Sequence, residues 1–256
     1  SPEFPMKRLL AADSGPIYQI CKVFRDGEAG RLHNPEFTLL EWYRPGFSLD
    51  ELMDEVDALI QLALDGRIAL QPSERLSYRD AFVQHLGLDP HQATAHDFAE
   101  AARRHDIHAP PELNSHHDVA PWRDLLLTHV IEPRLGQQRL TFLCDYPASQ
   151  ASLARIRPGD PPLAERFEVY LNGIELANGF HELGDAEEQL TRFERQLHAR
   201  AVQKMPAIPL DQPFLGALQA GLPDCCGVAL GIDRLLMLAA GARDLNAVLS
   251  FPVDRA

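Results

Sequence analysis

Residues 166–180 read RFEVYLNGIELANGF. Asn172-Gly173 lies between two runs of apolar residues, the strongest short-range signal for a two-residue hairpin turn. A turn closed there pairs Tyr170 with Glu175. It also makes Glu168 the diagonal neighbour of Glu175 on the same face, ~7–8 Å away at Cα and closer at the side chains. Two carboxylates held this way repel unless a cation sits between them. Few hard oxygen ligands suit Mg²⁺ that also carries a nucleotide's phosphates. The plainer alternative is a solvated Glu pair on an exposed face, which Tyr170 and the apolar flanks make less attractive.

Working outward, strand character is expected at Arg139–Cys144 before the hairpin. Asp185 then caps a helix carrying Leu190, Phe193 and Leu197. A further helix near Asp211–Ala220 stops at Gly221, with Pro223 beyond. Cys225–Gly231 reads as a strand feeding a last helix at Asp233–Ala240. Toward the N-terminus, Ile17–Arg25 and Phe37–Arg44 read as strands around a polar, Gly-containing loop. Ser48 with Glu51 has capping-box spacing, and the apolar residues from Leu49 to Leu64 recur at helical spacing up to Gly66. Residues of about 73–135 form an insert of two or three short helices, the last over Leu125–Leu135. Strands in antiparallel groups with helices between them give an α+β class, one antiparallel sheet flanked by helices.

The chain has 256 residues, sized for one large domain or two small ones. Its formal charge of −13 argues against a broad phosphate-binding surface, since nucleic-acid affinity leans on Lys and Arg. A small basic pocket is not excluded. No apolar run of ~18 residues exists, so no membrane span is expected, and no secretory leader is visible. Cysteines at 21, 144, 225 and 226 form no C-x-x-C pair. Free thiols in a reducing cytoplasm are therefore expected. Eight of the eleven histidines fall between His85 and His129. With no repeated i, i+4 pair and no cysteine cluster, a solvated surface is a better reading than a metal site.

Two more segments carry chemistry. In FRDGEAGRLHNPEFTLLEWYR, residues 24–44, Phe37, Leu39, Glu41 and Tyr43 share one strand face by period two. An aromatic, a carboxylate and a phenol side by side make a shelf for a flat ring and a polar group, although a half-buried amphipathic hairpin would look the same. In GVALGIDRLLML, residues 227–238, a Gly-rich strand runs into a helix whose first turn holds Asp233 and Arg234. Glycine admits a ligand close to the backbone, and an Arg fork can clamp phosphate. Ordinary helix entry, with Asp as cap and Arg at the surface, is the bland alternative.

These two segments, in this order, resemble motifs 2 and 3 of class II aminoacyl-tRNA synthetases. RLHNPEFTLLEWY and IELANGFHEL are similar to the lysyl-tRNA synthetase catalytic domain. SPEFPMKRLLAA, HNPEFTLLEWYRP, CDYPASQASLA, ELANGFHEL and PDCCGVALGIDRLLML more closely resemble its shorter bacterial relative, the elongation factor P–lysine ligase family. Lysyl-tRNA synthetases typically show Gly where this chain has Ala177 and Ala229, and a methyl on a pocket floor alters which amino acid fits by ~1–3 kcal/mol.

The resemblance implies one synthetase-like catalytic domain over residues 1–256, with motif 1, the family's dimer-forming element, expected before Ser1. It implies ATP and Mg²⁺. Arg25 would meet the α-phosphate and Arg234 the γ-phosphate, the two catalytic cations. Asp26, Gly27, Glu28, His33, Asn34, Phe37, Glu175, Leu176 and Gly231 would complete the ATP site, with Phe37 stacked on adenine. Glu168 and Glu175 would hold Mg²⁺. Ser1, Pro2, Glu3, Tyr43 and Glu182 would bind a lysine-like substrate, with carboxylates facing its amines. The family usually carries Glu two residues after the motif 2 Arg. Here Gly27 stands there with Glu28 next, so either Glu28 shifts in or the adenine contact weakens. The implied reaction is activation of (R)-β-lysine, or less readily α-lysine, as an adenylate and its transfer to a lysine of elongation factor P. The implied protein is a cytoplasmic homodimer without membrane or tRNA partners. The rival readings are a lysyl-tRNA synthetase fragment charging tRNA(Lys), and a non-catalytic regulatory subunit.

Overall fold

A computed structural model describes residues 1–110, 113 and 119–255. Helix α1 (Glu3–Ala11) precedes strands β1 (Ile17–Phe24) and β2 (Glu36–Pro45), then helix α2 (Leu49–Leu64). The insert opens with strand β3 (Gln71–Ser77), followed by α3 (Tyr78–Leu86), α4 (Ala95–Arg104) and α5 (Ala120–Leu126). Strands β4 (Arg139–Pro147), β5 (Ile156–Arg157), β6 (Leu163–Leu171) and β7 (Ile174–His181) come next. Helices α6 (Ala186–Val202) and α7 (Gln212–Ala220), strand β8 (Cys225–Gly231) and helix α8 (Ile232–Ala239) complete the order. The sheet runs β1-β2-β8-β7-β6-β4-β3, with β5 on β6. Every pair is antiparallel except β3 with β4. The α+β class stands, with one parallel edge strand added.

That strand is where the helical reading of 73–135 fails. Gln71–Ser77 alternates weakly, and Pro72 sits near its start, a position that edge strands tolerate. Leu125–Leu135 is likewise not one helix. After α5 the chain widens into a π-helical turn at Leu127–Ile131 and tightens into a 3-10 turn at Glu132–Arg134. Pro133 lacks the N–H that a continuing helix would need. His116 and His117 lie outside the described residues, so the histidine-rich stretch is described only in part.

The β6–β7 hairpin follows its sequence. Leu171 pairs Ile174 and Tyr170 pairs Glu175. Asn172 and Gly173 both take positive φ, 52° and 72°, as a type I′ turn requires. Beyond the turn the register slips by one at Leu176, so Val169 faces Ala177 and Glu168 faces Asn178. This is a β-bulge, an extra residue on one strand.

Helix α2 has the predicted capping box. The Ser48 hydroxyl accepts from the Glu51 N–H at 3.2 Å, and Glu51 accepts from the Ser48 N–H at 2.8 Å. Leu52, Met53, Val56, Ile60 and Leu64 bury its inner face against Phe167, Val169 and Val228 of the sheet. Burial contributes about 1.5–3 kcal/mol per such side chain. The insert builds its own core from Tyr78, Phe82, Phe98, Trp122 and Leu126, joined to the sheet through Leu143, Tyr146 and Tyr170. Helix α1 rests on Tyr43 and Cys225 through Met6 and Leu10. Phe4 stacks on Phe214 of α7 with centroids 4.4 Å apart.

Among the described residues no helix is long and apolar enough to cross a membrane. All four cysteines are free. Burial pushes the Cys144 and Cys225 thiols up to about 12 and Cys226 higher still, so these three are unreactive near neutral pH.

Candidate active site

Strands β2, β8 and β7 form the floor of a cavity of about 260 Å³, walled by the start of α1, the β1–β2 loop and the entry of α8. Its two ends differ in charge.

At one end Ser1 and the first residue of α1, Glu3, meet Glu41 and Tyr43 of β2 and Glu182 just past the end of β7. Glu41 is 2% exposed. Its carboxylate accepts from the Ser1 hydroxyl at 2.7 Å and from the Tyr43 hydroxyl at 2.7 Å. Glu182 and Glu3 lie 2.5 Å and 2.7 Å from the Lys7 ammonium. Burial would lower Lys7, but Glu182 and Glu3 outweigh it and hold the ammonium above its usual range. Burial pushes Glu182 up to about 7 against the pull of Lys7. Burial, and after it Glu3, Glu182 and Glu41, also push Tyr43 well up, so it stays a neutral donor. Gly227 is required here: a Cβ at that position would overlap the Tyr43 ring and the Glu182 Oε1.

At the other end stand Arg25, Glu28, His33, Phe37, Glu175, Gly231 and Arg234. Arg25 is 59% exposed at its side chain. It lies over the Phe37 ring, 5.7 Å from the centroid, and reaches Glu28 at 3.4 Å. Arg234 is held more firmly. It donates to the Glu175 carbonyl at 2.8 Å, to the Leu32 carbonyl at 3.3 Å and to the Glu175 carboxylate at 3.4 Å. His33 Nε2 lies 2.9 Å from its guanidinium. Burial first, and Arg234 next, lower His33, so a neutral ring accepts that bond. Asp233 does not cap α8; it accepts from the Thr38 N–H at 2.5 Å and ties β2 to the helix.

Most of the sequence-derived residues meet in this cavity. Four do not line it: Pro2, Asp26, Gly27 and Glu168. Gly27 is in a turn with φ of 76°, and Glu28 lines the cavity beside it. Asn34 lines the cavity, but its amide is engaged with backbone, donating to the Glu36 carbonyl at 2.6 Å and accepting from the Val253 N–H at 3.0 Å.

Glu168 and Glu175 do share a face, as the hairpin implied, because Tyr170 faces Glu175 and Glu168 faces Asn178 across the bulge. Glu168 sits behind the cavity. It accepts from the Tyr170 and Tyr146 hydroxyls at 2.5 Å and 2.6 Å, and from Arg166. Glu175 keeps 39% of its side-chain surface open, yet protein surrounds it closely. Burial first, and Glu168 next, push it up to about 7. Such repulsion is what an added cation would relieve. Among the described residues, no three His, Cys, Asp or Glu side chains gather closely enough to hold a metal ion. The donor set therefore fits Mg²⁺ held through Glu175 and phosphate oxygens, with Glu168 behind it, and does not fit a protein-only metal cage.

Two residues at the acidic end were not named as ligand-binding from sequence, Glu41 in the cavity lining and Lys7 behind it. Glu41 had a signal in the period-two face it shares with Phe37 and Tyr43. Lys7 had one in its i, i+4 spacing from Glu3. Asn178, Phe180 and Ser152 also line the cavity, and only the folded sheet brings them there. Ala229 lies on its floor beside Asn178, whereas Ala177 reaches the cavity only through its backbone and turns its methyl into the core with Leu230 and Val169.

The family model described as class II tRNA synthetases (D, K and N) matches residues 1–255. The chain is 53% identical over all 256 residues to the elongation factor P–(R)-beta-lysine ligase of Salmonella typhi, and covers 77% of that protein. It is 54% identical, with the same coverage, to the ligase of that name from Salmonella dublin. The Salmonella enteritidis PT4 ligase is 53% identical over the same span.

Proposed function

The chain belongs to the class II tRNA synthetase family (D, K and N), and from that premise we propose that it is an ATP-dependent elongation factor P–(R)-β-lysine ligase. The family implies ATP use. The observation that carries the amino-acid assignment is the polarity of the cavity: Glu3, Glu41 and Glu182 at one end, Arg25 and Arg234 at the other. A diamino acid laid along it places its ammonium groups among carboxylates and its own carboxylate toward the arginines.

Catalysis in this arrangement is positioning and charge stabilisation. Glu3, Glu182 and Tyr43 hold the amines, and Glu41 extends that set. Arg25, with one long contact to Glu28, is free to swing onto the α-phosphate as the substrate carboxylate attacks phosphorus and pyrophosphate departs. Arg234, braced by Glu175, Leu32 and His33, faces the outer phosphate. Phe37 under Arg25 offers a stacking face for adenine, and Glu28 takes the place left by Gly27. Mg²⁺, held by Glu175 with Glu168 behind it, would neutralise phosphate charge. The ε-amine of a protein lysine then attacks the acyl carbon; an amide forms and AMP leaves. The methyl group of Ala229 narrows the floor relative to the Gly typical of lysyl-tRNA synthetases, whereas that of Ala177 packs in the core on the opposite face of the sheet. We read residues 1–256 as one catalytic unit that pairs with a second copy in the cytoplasm, a state that analytical ultracentrifugation would test.

The deciding experiment is mass spectrometry of elongation factor P after incubation with this chain, Mg·ATP and each lysine isomer. One added lysyl mass on a single lysine, greatest with (R)-β-lysine, is expected. No added mass with any isomer, or esterification of tRNA(Lys) instead, would overturn the assignment.

A further inference from the structure

Lys7 is 1% exposed and belongs to no role assigned so far. It lies one helical turn after Glu3 on α1, and its ammonium is 2.7 Å from Glu3 Oε1 and 2.5 Å from Glu182 Oε2. Its ammonium lies over the Phe214 ring, 5.9 Å from the centroid. The same ring is stacked under Phe4, so α7 and both ends of the first turn of α1 fix where that ammonium sits.

Three features make this more than a buried ion pair. First, Lys7 takes one oxygen from each of two carboxylates. Glu182 Oε1 remains against Gly227, beside Tyr43 at the cavity wall. Second, the third carboxylate, Glu41, needs no cation for orientation, because Ser1 and Tyr43 hydroxyls hold its two oxygens. Third, Glu3, Glu41 and Glu182 with Lys7 leave two formal negative charges, equal to the two ammonium groups of a diamino acid. Without Lys7 the end would carry three carboxylates against two ammoniums, and a surplus buried charge is expensive.

We propose that Lys7 is a positioning residue for the amino-acid substrate: it aims Glu3 and Glu182 and sets the charge of the amine end to match a diammonium ligand. The proposal rests on the ligase reading above. Bound substrate finds two carboxylates already oriented, so little ordering is left to oppose binding.

The test is amino-acid-dependent pyrophosphate exchange by the full chain and its K7M and K7R variants, with separate KM values for (R)-β-lysine and ATP. K7M is expected to raise the amino-acid KM by roughly 30-fold or more while the ATP KM stays within about twofold, because only the amine end loses a partner. K7R keeps the charge and is expected to recover most of that loss. An unchanged amino-acid KM in K7M, or a parallel rise in both KM values, would overturn the proposal. A second measurement stands even if K7M fails to fold. In the unsubstituted chain, norleucine and 6-aminohexanoate, each with one ammonium, should bind at least ~100-fold more weakly than (R)-β-lysine. Comparable binding of either analogue defeats the charge match. Absence of exchange with every lysine isomer in the unsubstituted chain would instead remove the ligase reading itself.

Discussion

The two ends of the cavity are built on opposite terms. The amine end is buried and every carboxylate there already has a partner: Glu41 has two hydroxyls, while Glu3 and Glu182 share Lys7. The phosphate end leaves Arg25 59% exposed on a 3.4 Å contact. An amino acid is small and must be told from close relatives, which favours a preformed site. A nucleotide changes shape and charge as pyrophosphate leaves, which favours a cation that can follow it. Arg234 stands between these styles, braced by two carbonyls and His33 yet open to the cavity.

The contrast can be broken most sharply at Arg234. Replacing it with Ala removes the fork assigned to the outer phosphate of the departing pyrophosphate, and pyrophosphate exchange should fall by about 10²–10³-fold. A fall below tenfold would mean that the phosphates lie elsewhere. Glu182→Gln addresses the other end: the amino-acid KM should rise by roughly 100-fold with little change for ATP. Gly227→Ala pushes Tyr43 and Glu182 aside without removing either. It should weaken amino-acid binding and cost about 1–3 kcal/mol of stability, read by calorimetry.

A pH experiment sharpens the contrast without mutation. Burial raises Glu182 in the fold to about 7, against 4.5 ordinarily, and raises Glu175 at the other end of the cavity alike. Between those values the folded chain holds more protons than the unfolded one, so stability falls as pH rises through that window. The melting temperature of the ligand-free chain should therefore be lower at pH 7.5 than at 5.5, by ~2–4 °C for a chain of this size. Saturating diamino acid should flatten the slope, because its ammonium groups favour the ionised carboxylate. A slope unaffected by ligand would place the titrating group outside the amine end. The smallest effect is a control remote from the cavity. Arg75→Ala breaks exposed pairs with Asp50 and Asp54 and should cost under ~1 kcal/mol with exchange unchanged.

Much of this molecule was legible from its residues, for identifiable reasons. Asn172-Gly173 fixed a turn because few other pairs accept two positive φ angles in succession. Ser48 and Glu51 fixed a helix start because each satisfies the other's backbone N–H. Phe37, Glu41 and Tyr43 shared a face because strand periodicity leaves no alternative. β3 was hidden because Gln71–Ser77 is an exposed edge, where no buried face imposes a pattern. The changed pitch after α5 was hidden because it follows from Pro133 and from packing under Tyr170. Asn34 illustrates a different limit. Its place beside the nucleotide end was readable, but its engagement by the distant Val253 N–H was not. For Lys7 the spacing from Glu3 was readable, but its second partner, Glu182, lies 175 positions away in the chain and only the fold brings it near.

The bulge at Leu176 carries one more consequence. Along a regular strand, side chains of odd and even positions point to opposite faces. Glu175 and Glu182 differ in parity, yet both line the same cavity. The extra residue supplies the half-step that reconciles them. Strand β7 is thus two separately phased rulers joined at one residue. Removing one residue at Leu176 would turn Glu175 away while Asn178, Phe180 and Glu182 kept their places. A change of length, with no chemical substitution at all, would leave a protein that still holds the amino acid but no longer activates it.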